Sequence, residues 1–197
     1  MRYVLASGSP RRKELLSKVI PEYEVIPATG EEEATADEPS ELVEKLSFQK
    51  ASEIFHKIFT NESDRLVVIG ADTVVSYNRK VLGKPKNRQD ARDMISALSG
   101  STHAVYTGVT VMYVDEDGSE KSFTFNEETL VDVSKMTEDE IEAYVATGES
   151  DDKAGGYGVQ GLFAIFIEGI KGDYYNVVGL PISRLYHEMK NHGLLKK

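Results

Sequence analysis

Leu66-Val67-Val68-Ile69-Gly70-Ala71-Asp72-Thr73-Val74-Val75 is the stretch on which the fold turns. A run so rich in β-branched residues, with no helical spacing, reads as a central strand. Its one carboxylate, Asp72, follows Gly70 and Ala71, so the strand is expected to break or end over these three residues. An isolated buried carboxylate is strongly disfavoured, and an Asp in this setting has to be paired, hydrated or metal-bound. In open α/β sheets, ligands sit in the crevice outside the strand ends, and Asp72 would point there. The competing reading, a structural Asp that caps the next turn through an Asx hydrogen bond, carries equal weight on these residues alone.

Working outward, the N-terminal side alternates strand and helix. Tyr3 to Ala6 reads as a short strand, and Ser7-Gly8-Ser9-Pro10 opens a helix running to Lys18, with a hydroxyl before a proline in its first turn. Leu15, Leu16, Val19 and Ile20 form its buried stripe. A second short strand covers Tyr23 to Ile26. An acidic loop then leads to Ser40, the expected cap of a long amphipathic helix marked by Leu42, Val43, Leu46, Ile54, Phe55 and Ile58. On the C-terminal side, the turn Gly83 to Asn87 precedes a helix holding Ala91, Met94, Ile95 and Leu98, with Asn87 as its cap. Runs from about Ala104 to Val114 and from Lys121 to Ser134 flank Asp115-Glu116-Asp117-Gly118, a hairpin signal. Thr137 and Glu140 spell a capping box. Gly155 to Gly161 is a glycine-rich loop expected to lead into a strand from Leu162 to Ile167. A last helix follows Pro181 and stops near Gly193. The pattern is α/β, a central mixed sheet flanked by helices.

Composition narrows the functions. The chain has 197 residues, 23 Lys+Arg against 33 Asp+Glu, and a formal charge of -10. That length suits one domain, residues 1–197, with room for two lobes about a cleft. With no Cys, disulfides, thiolate zinc sites and cysteine nucleophiles are excluded. No apolar run approaches the roughly 18 residues of a membrane span, which makes the cytoplasm the default location. An acidic chain is a poor general nucleic-acid binder, because duplex affinity comes from neutralising phosphates. A polyanionic ligand would need a local concentration of positive charge or a metal ion.

Such a concentration exists. In Ser7-Gly8-Ser9-Pro10-Arg11-Arg12-Lys13 the free N–H groups of a helix first turn face outward, Gly8 allows close backbone approach, and three cations lie beside them. Cations at that end oppose the helix dipole at a cost of a few tenths of a kcal/mol each, which argues for a compensating anion. No Gly-Lys-Ser/Thr follows, so this is not a P-loop. Lys50, on the polar side of the long helix, and Lys84, on a rigid Gly-Lys-Pro turn, each read alone as solvated lysines. The Glu31 to Glu33 run reads as a solvated loop. Tyr157 and Gln160 of the glycine-rich loop could offer a ring face and an amide to a base. The four histidines, His56, His103, His187 and His192, lack ligand spacing and receive no role. An anion site, an Asp able to hold a divalent ion and separate lysines suit hydrolysis of a phosphate anhydride, where charge develops on bridging and nonbridging oxygens.

Several segments go further. Leu5-Ala6-Ser7-Gly8-Ser9-Pro10-Arg11-Arg12, Ile69-Gly70-Ala71-Asp72-Thr73-Val74-Val75, Gly83-Lys84-Pro85, Leu98-Ser99-Gly100, Asp152 to Gly161 and Gly172 to Pro181 resemble, in order and interval, the Maf family of nucleoside triphosphate pyrophosphatases. The resemblance spans nearly the whole chain. It implies a fold related to inosine triphosphate pyrophosphatase, two lobes about a deep cleft, and hydrolysis of a nucleoside triphosphate to the monophosphate and pyrophosphate by water attack at the α-phosphorus. It also implies a divalent cation, Mg2+ or Mn2+, and a house-cleaning role against non-standard nucleotides. By the same resemblance Asp72, Lys50 and Lys84 are catalytic, and Ser7, Ser9 and Arg12 hold the triphosphate. The metal is assigned to Asp72 and a glutamate of the acidic loop, which aligns on Glu32 or Glu33 with Glu33 favoured. Arg11, Thr73 and Gln160 match the dTTP/UTP branch; an amide and an Arg suit the acceptor-donor-acceptor edge of a pyrimidine. Val159 replaces the usual isoleucine, and Thr29-Gly30-Glu31 replaces the commoner approach to the acidic loop. Homodimerisation is expected from the resemblance, and no membrane or nucleic-acid partner is. The family name refers to arrest of septum formation, which leaves a second reading as a cell-division regulator acting through protein contacts. A single-strand RNA or DNA binder would need a continued basic stripe with stacking aromatics, and the net charge argues against one.

Overall fold

The computed structural model describes residues 1–31, 34–60 and 65–195. Strand β1 (Arg2–Leu5) lies between β2 (Glu24–Val25) and β3 (Leu66–Tyr77) and is parallel to both, with Leu5 opposite Val25 on one side and Ile69 on the other. With β4 (Lys80–Leu82), β5 (Thr102–Val114), β6 (Glu120–Val133) and β7 (Ile167–Lys171), the sheet order is β2-β1-β3-β5-β6-β7, and β4 pairs antiparallel with β3. β6 and β7 are also antiparallel, so the sheet is mixed, as expected. Among the described residues six α-helices accompany it: α1 (Pro10–Ser17), α2 (Pro39–Ile58), α3 (Arg88–Leu98), α4 (Glu138–Ala146), the short α5 (Tyr174–Val178) and α6 (Ile182–Asn191).

The chain divides into two compact units. The first comprises Met1–Asp72, Thr107–Glu127 and Gly179–Lys197. Its core gathers Val4, Ala6, Ala51, Ile54, Phe55, Leu66, Val68, Met112 and Val114. Burying Ile54 and Phe55 completely stabilises this unit by about 1.5–3 kcal/mol apiece relative to exposure. Helix α2 approaches the sheet on its backbone. A Cβ added to Gly70 would lie 2.4 Å from the Ser47 carbonyl oxygen, and one added to Gly108 would lie 2.2 Å from that of Val43. The Ser47 and Thr110 hydroxyls, 2.9 Å apart, satisfy each other in this dry contact.

The second unit comprises Thr73–Tyr106 and Glu128–Val178. Val75, Ala91, Ile95, Leu98, Val131 and Val133 build its core with Tyr144, Tyr157 and Phe163 from the C-terminal part of the chain. Helices α3 and α4 are joined on their outer faces, where the Arg92 guanidinium meets Glu138 at 2.5 Å and also reaches Glu142. Asn87 caps α3 by accepting from the Asp90 N–H at 3.0 Å, and Thr137 and Glu140 form the expected capping box.

Three expectations are corrected. Strand β3 neither breaks nor ends at Gly70-Ala71-Asp72; it runs unbroken to Tyr77, because Gly70 serves the close approach of α2 and leaves the strand geometry intact. Helix α2 starts at Pro39 with Glu38 as N-cap, which places Ser40 inside the first turn. Proline is well suited to the first helical position, where its missing N–H is not needed. Leu162–Phe166 is a 3₁₀ turn, and the strand begins only at Ile167. A strand would put Phe163 and Ile165 on one face, yet Phe163 is fully buried and Ile165 is 81% exposed.

Candidate active site

Among the described residues, the first unit holds six of those named, Ser7, Ser9, Arg11, Arg12, Lys50 and Asp72. Leu5 ends β1 opposite Ile69, so Ser7, two residues past Leu5, lies beyond the end of β1, while Asp72, three residues past Ile69, sits within the longer neighbouring strand β3, the two strands lying about 4.8 Å apart. The order β2-β1-β3 makes this a point where connections leave in opposite directions, and such points form ligand crevices.

Ser9 caps α1, accepting from the Arg12 N–H, with Pro10 next and no acidic residue in the first turn. Ser7 is buried, and its Oγ accepts from the Ser9 N–H and from Arg12 Nη1, both at 3.3 Å. Arg12 Nε donates to the Gly179 carbonyl at 2.9 Å. The guanidinium is thereby fixed beside the N-terminus of α1, and charge and dipole act on the same spot. Nothing in the surroundings requires a glycine at position 8: an added Cβ would make only ordinary contact, 3.6 Å from the Pro27 ring.

Asp72 lies on β3 with its carboxylate mostly buried, and Lys50 reaches it from α2, Nζ donating to Oδ1 at 2.5 Å. The backbone contacts at Gly70 and Gly108 set the height of α2, and so bring a lysine predicted to be solvated into an ion pair whose side chains are 19% and 12% exposed. A pair this dry survives because each charge meets the other, and removing one partner would strand the second. Arg11 on α1 is half-buried.

In the second unit, Thr73 continues β3 half-buried, and Lys84 is exposed on its turn. The Gly155 N–H donates to the Gly83 carbonyl at 3.0 Å, joining the Lys84 turn to the glycine-rich loop. Gly155 has φ +67, and a Cβ there would come within 2.9 Å of Val75. Gln160 is exposed on that loop. Tyr157 departs from expectation: it is 6% exposed, packs against Phe163, and its hydroxyl lies 2.7 Å from His103 Nε2, so its ring face serves the core and not a base. His103, assigned no role from its spacing, is buried. Burial lowers its pKa from 6.5 to about 4, against the pull of Asp132, so the imidazole is neutral near pH 7. Burial likewise raises the Tyr157 phenol.

Glu32 and Glu33 lie outside the described residues. Among the described residues, no group of three or more His, Asp or Glu side chains gathers to hold a metal ion. Asp72 offers one carboxylate on the strand beside β1, whose following turn carries Ser7 and Arg12. That donor set fits a hard ion of the Mg2+ type, commonly held by one or two carboxylates together with substrate phosphates. Among the same residues, no helix is long and apolar enough to cross a membrane.

The fold is mixed α/β, with the N-terminus of α1 and Arg12 just past β1 and a lysine-paired Asp on the neighbouring parallel strand β3. Residues 2–192 match the family model of Maf-like protein, and the chain belongs to that family. It is 52% identical over 199 residues to a dTTP/UTP pyrophosphatase of Agathobacter rectalis, with 97% of each chain covered. It is 48% identical over 194 residues to a dTTP/UTP pyrophosphatase of Bacillus anthracis, covering 98% of this chain and 96% of the other. Among solved structures it is similar to a nucleoside-triphosphatase / dITP/XTP pyrophosphatase of Mycobacterium abscessus, at 13% identity and TM-score 0.46, covering 98% of this chain and 96% of the other. The Ham1 protein of Staphylococcus aureus gives 12% and 0.47, covering 98% and 100%.

Proposed function

We propose that this chain hydrolyses dTTP and UTP to the monophosphate and pyrophosphate. The observation that carries the reading is the buried pair of Lys50 with Asp72 on β3, the strand next to β1, past whose end Ser7 and Arg12 are bonded to each other. The names and the identity of its relatives support the substrate class. Ser7, Ser9 and Arg12 bind the triphosphate at the N-terminus of α1. Asp72, oriented through Oδ1 by Lys50, takes a proton from water through its other oxygen as water attacks the α-phosphorus. The bond from that phosphorus to the bridging oxygen breaks, and the electron pair leaves with pyrophosphate. Lys84 neutralises charge on the phosphate oxygens, and Arg11, Thr73 and Gln160 select the base. Asp72 and Glu33 would hold Mg2+ or Mn2+, which supplies charge neutralisation and a more acidic water. The cellular use is removal of non-standard nucleotides.

The test is pyrophosphate release from a panel of nucleoside triphosphates, with and without each metal. Asp72→Asn keeps size and an acceptor for Lys50 but is a poor base, and kcat is expected to fall on the order of a hundredfold or more. Equal turnover in this variant would remove Asp72 from the chemistry.

A further inference from the structure

The loop that presents Gln160 is tied shut by a side chain outside it. Glu149 follows α4, and its Oε2 accepts from the Leu162 N–H at 2.8 Å, just past the loop. Its Oε1 accepts from the Tyr144 hydroxyl at 3.2 Å, and the same hydroxyl lies 3.2 Å from the Gly156 carbonyl, just before the loop. The single phenol proton is shared between these two acceptors, so one carboxylate and one phenol bracket the two ends of Tyr157–Gly161. The fit is close: a Cβ on Gly161 would sit 2.2 Å from Glu149 Oε1. Gly161 has φ -100, so its own backbone conformation does not call for glycine; the carboxylate does. Lys153 adds to the clasp by donating to the Glu149 carbonyl at 2.7 Å, and burial with the Glu149 charge raises the Tyr144 phenol, keeping it a donor. At the loop's start, the bond between Tyr157 and His103 supplies a separate anchor.

We propose that Glu149 is a positioning residue for nucleobase selection: by closing the Tyr157–Gly161 loop it fixes where Gln160 meets the base. This rests on the reading that Gln160 contacts the base. A preset loop spares the nucleotide the cost of ordering it, so the effect belongs in KM for the preferred bases and leaves turnover alone.

The experiment measures pyrophosphate release by the full chain from dTTP, UTP and GTP at saturating metal. Glu149→Ala is expected to raise KM for dTTP and UTP about tenfold, the scale of a lost charged hydrogen bond, with kcat within about twofold. Glu149→Gln, whose amide oxygen still accepts from Leu162, restores most of it. Gly161→Ala, which displaces the carboxylate, is expected to copy Glu149→Ala, and the double variant to add little to either. An unchanged KM in Glu149→Ala, or full additivity with Gly161→Ala, overturns the proposal. A purely structural Glu149 would instead lower the thermal midpoint and active fraction with KM unmoved. Should Glu149→Ala fail to fold, Gly161→Ala and Glu149→Gln carry the same test. Gln160→Ala separates the two readings: if it leaves pyrimidine preference intact, the base-contact assignment fails, whereas a shift there with no effect at Glu149 refutes the clasp alone.

Discussion

Acidification should destabilise this protein through His103 before its carboxylates titrate. The imidazole is 2% exposed, and its Nδ1 has no hydrogen-bond partner among the described residues. Its pKa is lowered from 6.5 to about 4, so the unfolded chain takes up a proton in a range where the folded chain refuses it. Stability is therefore complete above pH 6.5 and declines as pH falls towards 4. With about 1.4 kcal/mol for each pKa unit, the whole window carries about 3 kcal/mol, of which about 2 are lost between pH 6.5 and 5. Unfolded carboxylates titrate nearer pH 4, which leaves the upper window to histidine. Urea unfolding followed by circular dichroism or tyrosine emission, the chain having 10 Tyr and no Trp, would measure it from pH 7.5 to 5. His103→Gln keeps a group that can bond the Tyr157 hydroxyl but cannot titrate, and its curve should be flat where the parent's falls. Parallel curves for the two proteins would refute the assignment, since the remaining histidines are common to both.

Further outcomes follow from single contacts. Gly70→Ala would drive a methyl into the α2 backbone and is expected to cost about 3 kcal/mol or more, a drop of roughly 10 °C in a calorimetric melt. Arg12→Lys loses the fork that bonds Gly179 and Ser7 together; KM for the triphosphate should rise about tenfold with the melting midpoint nearly unchanged, as steady-state rates and a melt would show. Gln160→Glu places a carboxylate where a pyrimidine offers acceptors, so kcat/KM for dTTP and UTP should fall more than that for GTP; unaltered preference would sink the role given to this side chain.

Local chemistry accounts for what could be read in advance. The β-branched run of β3, the proline and hydroxyl opening α1, the Asn87 cap and the Thr137–Glu140 box each involve residues within a turn of one another, and each formed. Contacts between distant segments were not legible in the same way. Gly179 lies 167 positions from Arg12, and nothing in its own neighbourhood marks it as the carbonyl that steadies a guanidinium. Gly70 looked like a break because glycine weakens a strand; its use becomes visible only when α2 is laid against it. Lys50 read without the resemblance looks like a solvated lysine and Tyr157 like a ring available to a base, because burial comes from packing that periodicity does not encode. His103 and Glu149 had no motif at all, and only the groups they meet give them meaning.

Gly70 and Gly108 make the seat of α2 a contact of main chain on main chain. Main-chain surfaces vary little when side chains are exchanged, so the gauge between Lys50 and Asp72 is insulated from drift elsewhere in the hydrophobic interior. Substitutions at Ile54, Phe55 or Met112 would then tune robustness without detuning the ion pair. For an engineer seeking a different nucleotide preference, this separates two tasks: the exposed Gln160 position can be varied, while these two glycines are left untouched.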